Sequence, residues 1–217
     1  MKILVLPLAA ILFTWSFSSC KSSTPPSFCD TACVKEPIRF QDPSEFSPYV
    51  EISISNCVPD TITWSHSMLA TKRKMGFEEL VGKTARLNKD FVKCYFNDTS
   101  YAWLRFNDCN TGRGFLVKLP YSKEDKWSIY TSALNNLDPK FHVEEGLIAY
   151  YDETFLYVQD LATGKKDHML MHEKPLEFDH NNVHKTIDSI NVTRAKIWAN
   201  LKVNGDWKSK EKALKLE

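Results

Sequence analysis

YDETFLYVQDLATGKKDHMLM, Tyr151 to Met171, is a polar turn, a strand of alternating apolar and polar residues, a glycine-containing turn and a second strand. Alternation with a period of two is the mark of a half-buried strand. Glycine supplies the positive φ of a tight hairpin, and an aspartate or asparagine before it closes the turn with its side chain. The same plan recurs in NDTSYAWLRFNDCNTGRGFLVKL (Asn97 to Leu119) and in VTRAKIWANLKVNGDWKSKEKALKL (Val192 to Leu216). With the three segments set on Gly112, Gly164 and Gly205, Leu104, Leu156 and Ile197 coincide, as do Phe106, Val158 and Ala199. An apolar strand precedes each unit (DFVKCYF, GLIAYYD, SINV), which makes three strands per unit with room for a fourth.

The glycines are 52 and 41 residues apart, near the roughly 40 to 50 residues of a propeller blade. YDETFLYVQDLATGKK resembles the turn-strand segment of β-propeller blade repeats. The resemblance implies a mainly β fold of antiparallel meander repeats, propeller-like and either small or incomplete. The alternative is a β-sandwich with similar hairpins. One or two short helices are expected beside the strands, at Ser67 to Leu80 and from Ser122 to Asp125, where Ser122 would cap.

Ahead of this body the chain changes character. Lys2 and the apolar run Ile3 to Phe13 have the build of a secretory signal, and the run is shorter than the roughly 20 residues of a membrane-crossing helix. It ends in Phe17, Ser18, Ser19 and Cys20, which resembles the lipobox of bacterial lipoproteins, with phenylalanine where leucine is usual. The resemblance implies cleavage before Cys20 and acylation of its thiol, with each buried methylene worth roughly 0.8 kcal/mol of membrane attachment. Three triplets, DTA at Asp30, DTI at Asp60 and DSI at Asp188, are similar to the O-glycosylation pattern of exported proteins of Bacteroidota. KSSTPP after Cys20 lacks the acidic run of surface-exported lipoproteins of that group. The implied place is the cell envelope, at the outer membrane or facing the periplasm. Three regions follow: a signal over 1–19, a lipidated cysteine with a Pro/Ser-rich tether over 20–48, and a β domain over 49–217.

The whole chain carries 28 basic and 27 acidic residues, a balance with no footprint for nucleic acid. With Cys20 acylated, Cys29, Cys33, Cys57, Cys94 and Cys109 remain as disulfide candidates. Their number is odd, so one thiol stays free or pairs with another chain. Cys29 and Cys33 lack the second pair that would make a zinc site.

Four histidines cluster late: His168, His172, His180 and His184. On a strand His168 and His172 would share one face and Met169 and Met171 the other. On a helix His180 and His184 would share a face near Glu177 and Asp179. Imidazole suits zinc and copper, so a metal site could be assembled from the four, although a polar surface loop collects the same residues. No resident cofactor is otherwise expected. The chain has no G-x-S-x-G, H-E-x-x-H or P-loop motif, only GRG at Gly112 to Gly114. Tyr101, Trp103 and Phe106 in one repeat, and Phe155 and Tyr157 in the next, suit a stacking platform or a sheet core. The function expected is a membrane-anchored, non-catalytic binding module for a protein or glycan. The alternatives are a hydrolase or carbohydrate-active enzyme whose acids converge only in space, and a metal-binding protein.

Overall fold

Leu104, Leu156 and Ile197 are fully buried, as are Phe106, Val158 and Ala199. The positions superposed by the repeat thus all point into the interior. The computed structural model describes residues 33–216 except 83 and 98, and the fold there is mainly β, in four four-stranded sheets. The signal and Cys20 lie outside the described residues, as does Cys29. Among the described residues, no helix is long and apolar enough to cross a membrane.

Sheet 1 is a meander of β1 (Ile38–Gln41), β2 (Tyr49–Ser55), β3 (Val58–Ser65) and β4 (Arg73–Gly76), followed by α1 (Phe77–Val81). Sheet 2 repeats the meander with β5 (Val92–Asn97), β6 (Tyr101–Asn107), β7 (Gly114–Pro120) and β8 (Ser128–Tyr130). The next two strands, β9 (Ala133–Leu134) and β10 (Phe141–Val143), go to different sheets. β9 edges sheet 3, which continues with β11 (Leu147–Tyr151), β12 (Phe155–Asp160) and β13 (Lys166–Leu170). β10 edges sheet 4, alongside β14 (Ile187–Val192), β15 (Lys196–Val203) and β16 (Asp206–Ala213). The β10–β14 pair is parallel and every other pair is antiparallel. The chain therefore lends one strand to sheet 4 before completing sheet 3, which stitches the two together.

Period-two alternation gives each inner sheet two apolar faces. Leu104, Phe106, Phe115 and Val117 join Ile52, Ile62, Trp64 and Phe77 in a core between sheets 1 and 2. Trp103 and Leu116, on the other face of sheet 2, meet Ala133 and Ile148 of sheet 3. Leu156, Val158 and Met169 then join Ile190, Ile197 and Leu201 in a core between sheets 3 and 4. The sheets pack face to face in chain order, and no barrel is closed among the described residues.

Three local expectations are corrected. The segment expected as a tether up to Pro48 already contains β1, where Ile38 pairs with Ile52 and is 7% exposed. Pro37 and Pro43 flank this strand, and an edge strand tolerates that. Ser67 to Leu80 is mostly not helical: Arg73 to Gly76 pairs with Thr61 to Trp64, and helix begins only at Phe77. A neighbouring strand outweighs local helix propensity there. Ser122 to Asp125 forms bends, with the Ser122 hydroxyl accepting from the Glu124 N–H at 3.1 Å and the Ser122 carbonyl bound to the Arg73 guanidinium.

Candidate functional sites

The face shared by sheets 2 and 3 carries a run of aromatic rings. Tyr101 and Trp103 on β6 are two residues apart and project to the same side, with ring centroids 6.1 Å apart. Trp103 continues to Tyr130 at 6.2 Å, Tyr130 to Tyr150 at 4.1 Å, and Tyr150 to Tyr157 at 5.1 Å. Phe155 and His168 complete the run, 4.7 Å apart and edge to face. Phe106 is excluded: it points to the opposite face and packs on Phe115 in the first core.

Burial grades this seam. Trp103 (3% exposed) and Tyr150 (9%) form its floor, whereas Tyr101, Phe155 and Tyr157 are half-buried and His168 is exposed. Leu170, paired with Phe155 across β12 and β13, is 37% exposed. Polar groups flank the rings. Lys118 Nζ lies 4.1 Å from the Tyr101 ring centroid, and the Tyr157 hydroxyl donates to Asp152 at 2.7 Å. That bond, then burial, raises the Tyr157 hydroxyl above its ordinary range. Burial works to raise the Asp152 carboxyl, but donation from the Phe155 N–H, the Tyr157 hydroxyl and the Thr154 N–H outweighs it and holds the group low. Trp103 Nε1, Arg105 Nε and Gln159 Oε1 are buried without a hydrogen-bond partner among the described residues. Such groups are rare in folded proteins; Ser44 Oγ and the Tyr49 and Tyr121 hydroxyls, away from the seam, are in the same position.

The four histidines fall in three places. His168 belongs to the seam, on β13, while Met169 and Met171 on the other side are 1% exposed. His172 lies past the end of β13, binds the Lys174 backbone through Nδ1 and lines an open cleft of 720 Å³. His180 and His184 line one cavity of 180 Å³. The helix on which the two would share a face does not form: His180 stands in a turn, and His184 is in a single 3-10 turn, Val183–Lys185. Among the described residues, no group of three histidine, cysteine, aspartate or glutamate side chains is placed to hold a metal ion.

His184 is engaged on both sides of its ring. Nε2 is 2.7 Å from Asp138 Oδ2, and Nδ1 is 3.2 Å from the carbonyl oxygens of Ile187 and Asp188. Acceptors at both nitrogens favour the doubly protonated ring, and the Asp138 bond raises its pKa above the ordinary value against the pull of burial. His180 differs. Its Nδ1 is 3.1 Å from the Tyr151 hydroxyl, and burial, then the Arg113 charge, lower its pKa. Arg113, immediately after the Gly112 turn, lines the same cavity. The GRG triplet is visible in sequence, but the neighbours of its arginine, Thr131 and His180, lie far along the chain and are not.

Cys33 and Cys57 form a disulfide, Cys109 is also disulfide-bonded, and Cys94 is a free thiol whose pKa burial raises. No family model, curated protein or solved structure matches the chain.

Proposed function

We propose that the protein is a lipoprotein of the bacterial cell envelope, moored through acylated Cys20 at the outer membrane or facing the periplasm. Its β body acts there as a non-catalytic binding module whose contact surface is the aromatic seam, and the ligand class is a glycan chain. The observation that carries this reading is the graded run from Tyr101 through Trp103, Tyr130 and Tyr150 to Tyr157 and Phe155. Aromatic faces bind the apolar CH faces of sugars, and the adjacent Asp152, Lys118 and His168 supply hydrogen bonds for hydroxyls. The Cys33–Cys57 disulfide supports export, because such cross-links persist in oxidising compartments.

The test is affinity electrophoresis through gels containing cell-wall or capsular polysaccharides, read against Phe155→Ala and Tyr157→Ala. Each substitution should weaken retardation about 3- to 10-fold, the worth of one aromatic contact. Migration unchanged by every polysaccharide removes the glycan reading. Metabolic labelling with an alkyne fatty acid, lost in Cys20→Ala, tests the anchor.

A further inference from the structure

We propose that Arg113 and His180 form a second binding site, for a small oxyanion such as the carboxylate or phosphate group of a ligand. The site is the 180 Å³ cavity on the Tyr151 side of sheet 3. Tyr150 and Tyr151 are neighbours on β11 and project to opposite faces, so this cavity is separate from the aromatic seam.

The guanidinium of Arg113 is fixed before any ligand arrives. Nε donates to the Thr131 carbonyl at 2.5 Å and Nη2 to the Thr131 hydroxyl at 2.7 Å. The Phe115 ring backs the group, 5.5 Å from centroid to Cζ. Among the described residues no carboxylate lies within ion-pair distance of it. Asp108 supplies the acidic field nearby, but its oxygens already accept from the Thr111 hydroxyl at 2.8 Å and the Arg86 N–H at 3.1 Å. A half-buried arginine of fixed orientation with no ion-paired carboxylate among the described residues is suited to receive an anion.

The rest of the cavity agrees. Asp138 would repel an anion, but its charge is met by His184 at 2.7 Å. His180 stacks on Tyr151 and Phe178, with interplanar angles of 24° and 14°, and its Nε2 has no protein partner among the described residues. Asn181 and Asn182 add polar lining. The volume admits a small polyatomic anion with water, one water's share of the liquid being about 30 Å³.

The same geometry couples binding to a proton. The groups facing His180 are Arg113 from the β6–β7 turn, Tyr151 from β11, Glu153 from the β11–β12 turn and Asp179 from its own loop. Without a ligand, burial and Arg113 disfavour the imidazolium; an anion between the two cations reverses that balance. Binding therefore takes up a proton and tightens as pH falls.

Calorimetric titration of the purified full-length protein with sulfate, inorganic phosphate and acetate tests this. Saturable binding is expected, weakened about tenfold or more by Arg113→Gln and by His180→Gln and unchanged by His172→Gln. A preference for phosphate over acetate assigns a phosphoryl ligand, and the reverse a carboxylate. Sulfate keeps its charge across the range, so its affinity should rise several-fold from pH 8 to pH 5.5 in the wild type and stay flat in His180→Gln. Absence of saturation, or equal affinity in wild type and His180→Gln with both proteins folded, overturns the proposal. Should Arg113→Gln fail to fold, the His180→Gln pH profile decides.

Discussion

His184 Nε2 lies 2.7 Å from Asp138 Oδ2, which ties the 3-10 turn before β14 to the connection between β9 and β10. The His184 ring also packs on Phe141, at 5.0 Å between centroids, where β10 enters sheet 4. The pair therefore fastens the point at which the chain passes between sheets 3 and 4. The bond to Asp138 raises the folded-state pKa of His184 above its ordinary value. Its stabilisation is then fully present below about pH 6.5, the unfolded value, and is lost as pH rises through the folded one. Asp138→Asn should cost about 1 to 2 kcal/mol at pH 5.5, the charged bond being discounted for a partly exposed ring. At pH 9 the cost should be smaller. Urea unfolding of both proteins at the two pH values measures it, and equal costs would show that the ring is not charged in the folded state.

Gly164 and Gly114 are predicted to respond in the opposite order from the one their φ angles suggest. Gly164 has φ of 72°, and an added Cβ would meet nothing within 4 Å, so Gly164→Ala incurs only the left-handed backbone penalty, about 1 to 2 kcal/mol. At Gly114 an added Cβ would stand 2.1 Å from the Ala133 carbonyl oxygen, which is backbone and cannot swing aside. That contact is where β7 of sheet 2 meets β9 of sheet 3. Gly114→Ala should cost more than Gly164→Ala, about 3 kcal/mol or above, because two sheets must separate to admit it. Thermal unfolding of the two variants ranks them.

Why the repeat is readable and the rest is not follows from where the information lies. In DCNTG and DLATG the same local bonds recur: the Asp108 and Asp160 carbonyls accept from the Gly112 and Gly164 N–H groups at 2.7 and 2.9 Å. These turns are specified within five residues, so sequence displays them. Leu104, Leu156 and Ile197 are legible for the same reason, since alternation within one strand decides their face. The strand at Arg73 to Gly76 is not, because it exists through its pairing with β3. β10 is three residues long, and its partner β14 lies more than forty residues away. At the site level, the ring types of the seam are visible in sequence, but Tyr130 and Tyr150 enter it only through the packing of sheet 2 on sheet 3. The Arg113 cavity depends on three separate segments, and GRG alone carries no trace of it.

Asp160 should set part of the acid limb of stability. Its carboxylate accepts the Ala162 and Thr163 N–H groups, each at 2.8 Å, and pairs with the Arg194 guanidinium from the β14–β15 turn. Burial favours the neutral acid, but the Thr163 and Arg194 bonds outweigh it and the pKa is depressed. A depressed carboxylate contributes stability that is present above its unfolded value, about 3.9, and lost as pH falls through the folded one. Asp160→Asn keeps an oxygen for the turn but loses the charge facing Arg194. It should cost about 1 to 3 kcal/mol at pH 7 and much less at pH 2.5. Denaturation midpoints across that range would show the wild-type and variant curves converging in acid, and parallel curves would refute the assignment.

The Cys33–Cys57 bridge joins the segment leading into β1 to the tip of the β2–β3 hairpin, 24 residues apart in sequence. Closing a loop of that length in the unfolded chain corresponds to about 3.5 kcal/mol in the chain-entropy treatment. Cys33→Ala/Cys57→Ala should lower stability by an amount of that order, through the unfolded state, with the aromatic seam between sheets 2 and 3 left intact. Cys94 provides an internal control within the same protein. It is half-buried on β5, packs against the first core, and burial raises its pKa, so little thiolate is available at pH 8. In the native wild type, Cys94 should react with an aromatic disulfide reagent far more slowly than a free cysteine does, and at full rate in denaturant. In the double variant, opening is more frequent because the unfolded state is relatively more populated. Cys94 labelling under native conditions should therefore accelerate by the same factor that the equilibrium shifts, if exposure of β5 requires global unfolding. An unchanged labelling rate in a measurably destabilised variant would show instead that β5 opens locally, independently of the hairpin that the bridge secures.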